Sequence, residues 1–81
     1  MAQPEPQIVL TDRQLVILAY IAEGLESEQV GRVMFLSLDT VKTHVHKLYR
    51  KLGASNRAHA VAIAYECGIL PAAKKMIGES R

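Results

Sequence analysis

Between Thr40 and Lys51 the chain concentrates side chains that donate hydrogen bonds or carry positive charge: Thr40, Lys42, Thr43, His44, His46, Lys47, Arg50 and Lys51. Residues 40–65 hold these four cations and Arg57, with no Asp or Glu, a net +5. Residues 1–39 set Arg13 and Arg32 against Glu5, Asp12, Glu23, Glu26, Glu28 and Asp39, a net −4, within a chain whose total is only +2. One basic segment in an otherwise acidic or neutral chain is suited to meet a polyanion. The same charge pattern also describes a solvated basic helix. Catalysis is a poor fit. There is no nucleophile–base set, no phosphate-cradling glycine loop and no metal-ligand spacing, so no enzyme, cofactor or metal is expected. His44 and His46 stand two residues apart, where helical side chains diverge rather than converge on an ion. The single cysteine, Cys67, forms no internal disulfide, which suits a reducing cytoplasm; it reads as a small core residue near a helix end, and Met34 and Met76 as gap fillers.

The elements that must position this segment are helices. Thr11-Asp12-Arg13-Gln14 has capping-box spacing, with Leu10 as a possible staple, and an apolar helix follows from Leu15 to Ala22, stopping near Gly24. Ser27 can cap a second helix to about Phe35. Ser37 or Asp39 can cap a third that ends at Leu52 before Gly53, a good left-handed terminator. Ser55 or Asn56 opens a fourth helix that ends near Gly68, and Pro71 blocks its direct continuation. At about 100° per residue, Val41, Val45, Leu48 and Leu52 form an inward stripe on the third helix. Thr43, His46, Lys47 and Arg50 lie opposite, with Lys42 on the flank. His44 falls between the two sides, open to packing, backbone bonding or a phosphate contact. A short helix, a tight turn and a basic amphipathic helix describe a helix-turn-helix, whose second helix enters the major groove.

Leu10-Thr11-Asp12-Arg13, Leu18, Ile21-Ala22-Glu23-Gly24-Leu25, Ser37, Thr40-Val41-Lys42-Thr43-His44, Lys51-Leu52-Gly53, Arg57 and Ala60-Val61 together resemble the LuxR/FixJ/GerE-type helix-turn-helix over about residues 8–70. The resemblance implies a compact all-α four-helix domain, bacterial transcription control, and dimerisation through the last helix. Carried onto this chain, it implies base reading by Lys42, Thr43 and His46, and a phosphate contact at Thr40. Lys47, Arg50, Lys51 and Arg57 are further candidates for phosphate contacts. The expected organisation is a flexible arm over 1–7, the domain over 8–70, and a tail over 71–81 with one possible helical turn.

The expected function is that of a sequence-specific duplex-DNA-binding regulator, cytoplasmic and working as a homodimer. Arg57, Val61 and Ala64 share one side of the fourth helix, leaving His59, Ala62, Ile63 and Glu66 as the candidate dimer face. The sequence departs from the family's usual residues at Gln14, Leu15 and Val16, at Glu26-Ser27-Glu28, and at His46. Leu15 and Val16 cannot both join one inward stripe with Leu18 and Ile21, so at least one is expected to be exposed. A contrasting reading follows, in which the acidic, apolar face of residues 15–28, with Leu15 and Val16 beside Glu26 and Glu28, binds RNA polymerase or another regulator and the chain is an interaction module with weak DNA binding of its own. Packing under Ile8 and Val9 is the plainer account of the same pair.

Overall fold

The computed structural model describes residues 8–78, and among them the chain is helical with no strand. Five helices follow in order: α1 (Asp12–Ala22), α2 (Ser27–Met34), α3 (Leu38–Leu52), α4 (Arg57–Glu66) and α5 (Ile69–Met76). The expected arm over 1–7 and the last residues of the expected tail lie outside the described residues.

Local chemistry accounts for the helix starts. The α1 capping box is complete: the Gln14 N–H donates to Thr11 Oγ1 at 3.1 Å, and the Thr11 N–H donates to Gln14 Oε1 at 3.0 Å. Helix α2 starts one residue earlier than expected. Glu26 is its N-cap, and the Glu26 N–H donates to Gln29 Oε1 at 2.8 Å. Ser37 caps α3, accepting from the Thr40 N–H at 3.1 Å, and Asn56 caps α4, accepting from the His59 N–H at 2.9 Å.

The helix count corrects the expected four. Gly68, at φ 74°, ends α4, and the chain turns at once into α5. Pro71 does not stop it, because Pro71 falls in the first turn of α5, where the missing N–H has no intrahelical partner to lose. Leu70 and Ala73 of α5 are fully buried, and α5 packs chiefly against α1. The helix therefore belongs to the core and crosses the boundary expected at residue 70. Its companions there are Ile17, Leu18 and Ile21 of α1, Val30 of α2, Val41, Leu48 and Leu52 of α3, and the small Ala60 and Ala64, which let α4 approach closely. Cys67 is also corrected: it is exposed at the α4 C-cap, past the last turn that faces inward. Met34 packs against the core as expected, whereas Met76 is exposed. No helix among the described residues is long and apolar enough to cross a membrane.

The α2–α3 turn fixes the geometry that matters for function. Gly31, inside α2, sits where a Cβ would lie 2.6 Å from the Leu36 carbonyl oxygen and 3.5 Å from Val41 Cγ2. The Leu36 N–H bonds the Gly31 carbonyl at 2.8 Å, closing the turn. Only a residue without a side chain allows this approach, which offsets glycine's cost of about 1 kcal/mol in a helix interior. Phe35 ends α2 in the left-handed conformation at φ 60° and ψ 42°, and the residue is 94% exposed.

Candidate nucleic-acid interface

Helix α3 divides its side chains as its periodicity requires. Val41, Leu48 and Leu52 are buried and Val45 is half-buried against the core. Lys42, Thr43, His46, Lys47 and Arg50 are exposed, and His44 is half-buried between the two sides. The three base-reading candidates, Lys42, Thr43 and His46, thus share one solvent-facing surface near the N-terminal half of α3. The Thr43 hydroxyl donates to the Asp39 carbonyl at 3.0 Å, so its hydrogen is committed to the helix while its oxygen can still accept. Lys42 and His46 have no hydrogen-bond or ion-pair partner among the described residues.

Thr40 sits at the helix start. Its Oγ1 accepts from the Ser37 hydroxyl at 2.9 Å, which leaves the Thr40 hydroxyl hydrogen unspent and able to donate outward. Lys47, Arg50 and Lys51 line one open concavity on the C-terminal half of α3. Lys47 and Arg50 have no partner among the described residues. Lys51 does: its Nζ donates to the Val9 carbonyl at 3.1 Å and to Gln14 Oε1 at 3.0 Å, while the residue stays exposed. The described residues hold no cluster of three His, Cys, Asp or Glu able to bind a metal.

Arg57 turns inward instead of joining the other cations. Its Nη2 donates to the carbonyls of Leu25 at 2.8 Å and Ile21 at 3.3 Å, and its Nη1 pairs with Glu26 at 3.0 Å. The direction has a physical cause. Arg57 opens α4, where a cation opposes the helix dipole, and it reaches the Ile21 carbonyl in the last turn of α1, where a cation is favoured, and the Leu25 carbonyl in the connection that follows. Next to this pair, burial raises the Tyr49 hydroxyl above its ordinary value of 10.0; the Arg57 charge lowers it and Glu26 raises it again.

On the expected dimer face, His59, Ala62 and Glu66 are exposed, but Ile63 is half-buried against its own core. His59 Nδ1 accepts from the Ser55 N–H at 3.1 Å, so this ring also helps to close the α4 N-terminus. Tyr65, which was not among the expected residues, is 57% exposed on the same helix, one turn from Ala62 at i+3. Leu15 and Val16 are both half-buried; neither is exposed as expected, and neither belongs to the buried core cluster.

The arrangement agrees with comparisons to known proteins. The family model "Bacterial regulatory proteins, luxR family" matches residues 8–69. The transcriptional regulatory protein YxjL of Bacillus subtilis, itself uncharacterised, is 42% identical over 60 residues, 74% of this chain and 28% of YxjL. The nitrate/nitrite response regulator NarP of Escherichia coli is 39% identical over 62 residues, 76% of this chain and 29% of NarP. A solved structure of Vibrio cholerae VqmA, described as a dimer and a LuxR-type receptor, superposes with a TM-score of 0.77 at 25% identity, over 95% of this chain and 35% of that one. The chain spans about a third or less of each of these relatives. With the family model matching residues 8–69 and α2 and α3 joined through the close turn at Gly31, the chain belongs to the luxR family of bacterial regulatory proteins.

Proposed function

We propose that the chain binds duplex DNA as the DNA-reading domain of a transcriptional regulator, with α3 in the major groove. In this reading Lys42 donates to guanine O6 or N7, the Thr43 methyl meets a thymine methyl, and His46 donates or accepts at a base edge. Thr40, Lys47, Arg50 and Lys51 hold the phosphates and set the register. Arg57 is left out of the phosphate set because its guanidinium is occupied by Ile21, Leu25 and Glu26. The observation that carries the reading is the exposed outer face of α3, whose one acid is Asp39 in the first turn and on which Lys42, His46, Lys47 and Arg50 have no partner among the described residues.

Two copies of the chain are proposed to meet through α4, each contributing His59, Ala62, Ile63 and Glu66. Tyr65 adds apolar area that the half-burial of Ile63 withholds. The surface is small, so the pair forms mainly on an inverted-repeat site that holds both copies. The dimer described for the VqmA structure supports pairing by likeness; the choice of α4 rests on its exposed side chains. A surface for RNA polymerase at Leu15 and Val16 finds less support, since both side chains are half-buried.

The test is selection of bound sequences from a random duplex pool, followed by titration of variants. Lys42→Ala is expected to weaken the selected site by about 1–3 kcal/mol and to relax preference at one base pair. Lys47→Ala is expected to weaken all sequences alike and to flatten the salt dependence. A pool that yields no preferred sequence, or a Lys42→Ala loss equal on selected and random duplex, overturns base reading by this helix.

A further inference from the structure

The contact between Gln14 and Lys51 joins two jobs that the rest of the molecule keeps apart. Gln14 is buried, 4% exposed, and its Oε1 accepts twice: from the Thr11 N–H at 3.0 Å, completing the α1 capping box, and from Lys51 Nζ at 3.0 Å. The Val9 carbonyl takes a second Lys51 proton at 3.1 Å. An ammonium has three donors, so one remains for a group outside the protein. Both acceptors are neutral, and no acid among the described residues pairs with Lys51.

A capping box accepts either Glu or Gln at this position, and the two serve the helix start about equally. They are not equal for Lys51. A carboxylate at 3.0 Å would hold the same ammonium in place and cancel its charge; the carboxamide holds it and leaves the charge whole. Lys51 also lines the open concavity with Lys47 and Arg50. The result is a held, uncompensated cation beside two that have no partner among the described residues. A free lysine must give up side-chain entropy to settle on a phosphate, and this one has given it up on folding.

We propose that Gln14 is a positioning residue for phosphate binding, setting through its neutral side-chain carbonyl both the place and the net charge of Lys51 at the C-terminal half of α3. The ligand is a backbone phosphate of duplex DNA, and the proposal rests on the reading given under Proposed function.

The experiment compares wild type with Gln14→Glu, Gln14→Met and Lys51→Met, each by thermal melting and by binding to a fixed duplex between 50 and 300 mM salt. Gln14→Glu keeps the cap and is expected to melt at or above the wild-type temperature. Its logarithmic salt slope should fall by about 0.9, and its affinity on the order of eightfold at 0.1 M salt, the effect of one lost phosphate contact. Lys51→Met is expected to show the same slope loss. Gln14→Met breaks the cap but leaves Lys51 charged, so it should melt lower while keeping most of the wild-type slope. A purely structural role for Gln14 leaves both the cap and the salt slope untouched in Gln14→Glu, and a wild-type slope in that variant overturns the proposal. Wild type showing no salt-dependent binding removes the DNA reading first, and this proposal with it. The two failures are told apart because the second appears without any variant.

Discussion

Arg57→Ala separates an internal brace from a DNA ligand. Arg57 makes one short hydrogen bond, 2.8 Å to the Leu25 carbonyl, and one long one, 3.3 Å to the Ile21 carbonyl. A hydrogen bond from a charged donor contributes about 1.5–3 kcal/mol when well formed, and the 3.3 Å contact belongs at or below the low end. The ion pair with Glu26 adds little. The Glu26 side chain is 76% exposed and that of Arg57 35%, so solvent screening holds the pair to the roughly 0–1 kcal/mol of surface bridges. Solvent access at Arg57 also discounts the hydrogen bonds, and a total of about 2–3 kcal/mol remains. For a domain of this size that corresponds to a fall in Tm on the order of 10–20 °C.

The assay is thermal unfolding followed by circular dichroism, with Glu26→Gln as the companion variant. Glu26→Gln keeps an acceptor at the α2 cap and should cost well under 1 kcal/mol, because only the screened charge is lost. DNA binding of Arg57→Ala, measured well below its Tm, should keep the wild-type salt slope. A variant that melts like wild type but loses about 0.9 from the slope refutes the brace and returns Arg57 to the phosphate set.

Three other perturbations follow from the same geometry. Gly31→Ala should destabilise the domain by about 1–3 kcal/mol, despite alanine's better helix propensity, because the obstacle 2.6 Å away is the Leu36 carbonyl oxygen and backbone must move; a rise in Tm would contradict the close approach. Leu70→Ala should cost about 2–5 kcal/mol as a cavity in the shared core, and chemical denaturation showing a loss below 1 kcal/mol would mean that α5 is peripheral. Tyr49 has a raised pKa in the folded state, so folding favours its neutral form; its stabilising contribution is whole below pH 10.0 and is lost as pH rises through the folded value. Stability measured from pH 9 to 12 should therefore fall less steeply in Tyr49→Phe than in wild type, and identical curves would rule the effect out.

The parts of this fold that were legible in the sequence are those set by local chemistry. Thr11 and Gln14 announce the capping box by spacing alone, and the buried stripe Val41, Leu48, Leu52 follows from helical periodicity. Three features were not legible. The fifth helix was hidden because Pro71 reads as a stop unless it is known to stand in a first turn, and Gly68 supplies the break that puts it there. Gly31 left a weak signal, a glycine inside a helix, whose reason is a carbonyl five residues later that folds back over it. Arg57 and Lys51 looked like their neighbours, because charge counting along a chain does not say where a side chain ends. Their acceptors are carbonyls, which every residue carries and no composition reveals.

Five cations lie between residues 40 and 65, and an even spread over the surface would make them five equivalent phosphate ligands. The fold sorts them. Arg57 spends its donors on the junction of α1, α2 and α4, so its charge supports the placement of the helix-turn-helix. Lys51 is held at the α3–α1 junction by neutral acceptors and keeps one donor free. Lys42, Lys47 and Arg50 stand with no partner among the described residues. On the proposed reading, three cations per copy meet phosphates, Lys47, Arg50 and Lys51, and give a salt slope of roughly −3, modest beside regulators that make six to ten phosphate contacts. A single copy of this domain is thus poorly equipped to hold DNA by charge alone. Doubling the set across α4 brings the slope to roughly −5, and this is the physical ground for expecting two copies on one inverted-repeat site.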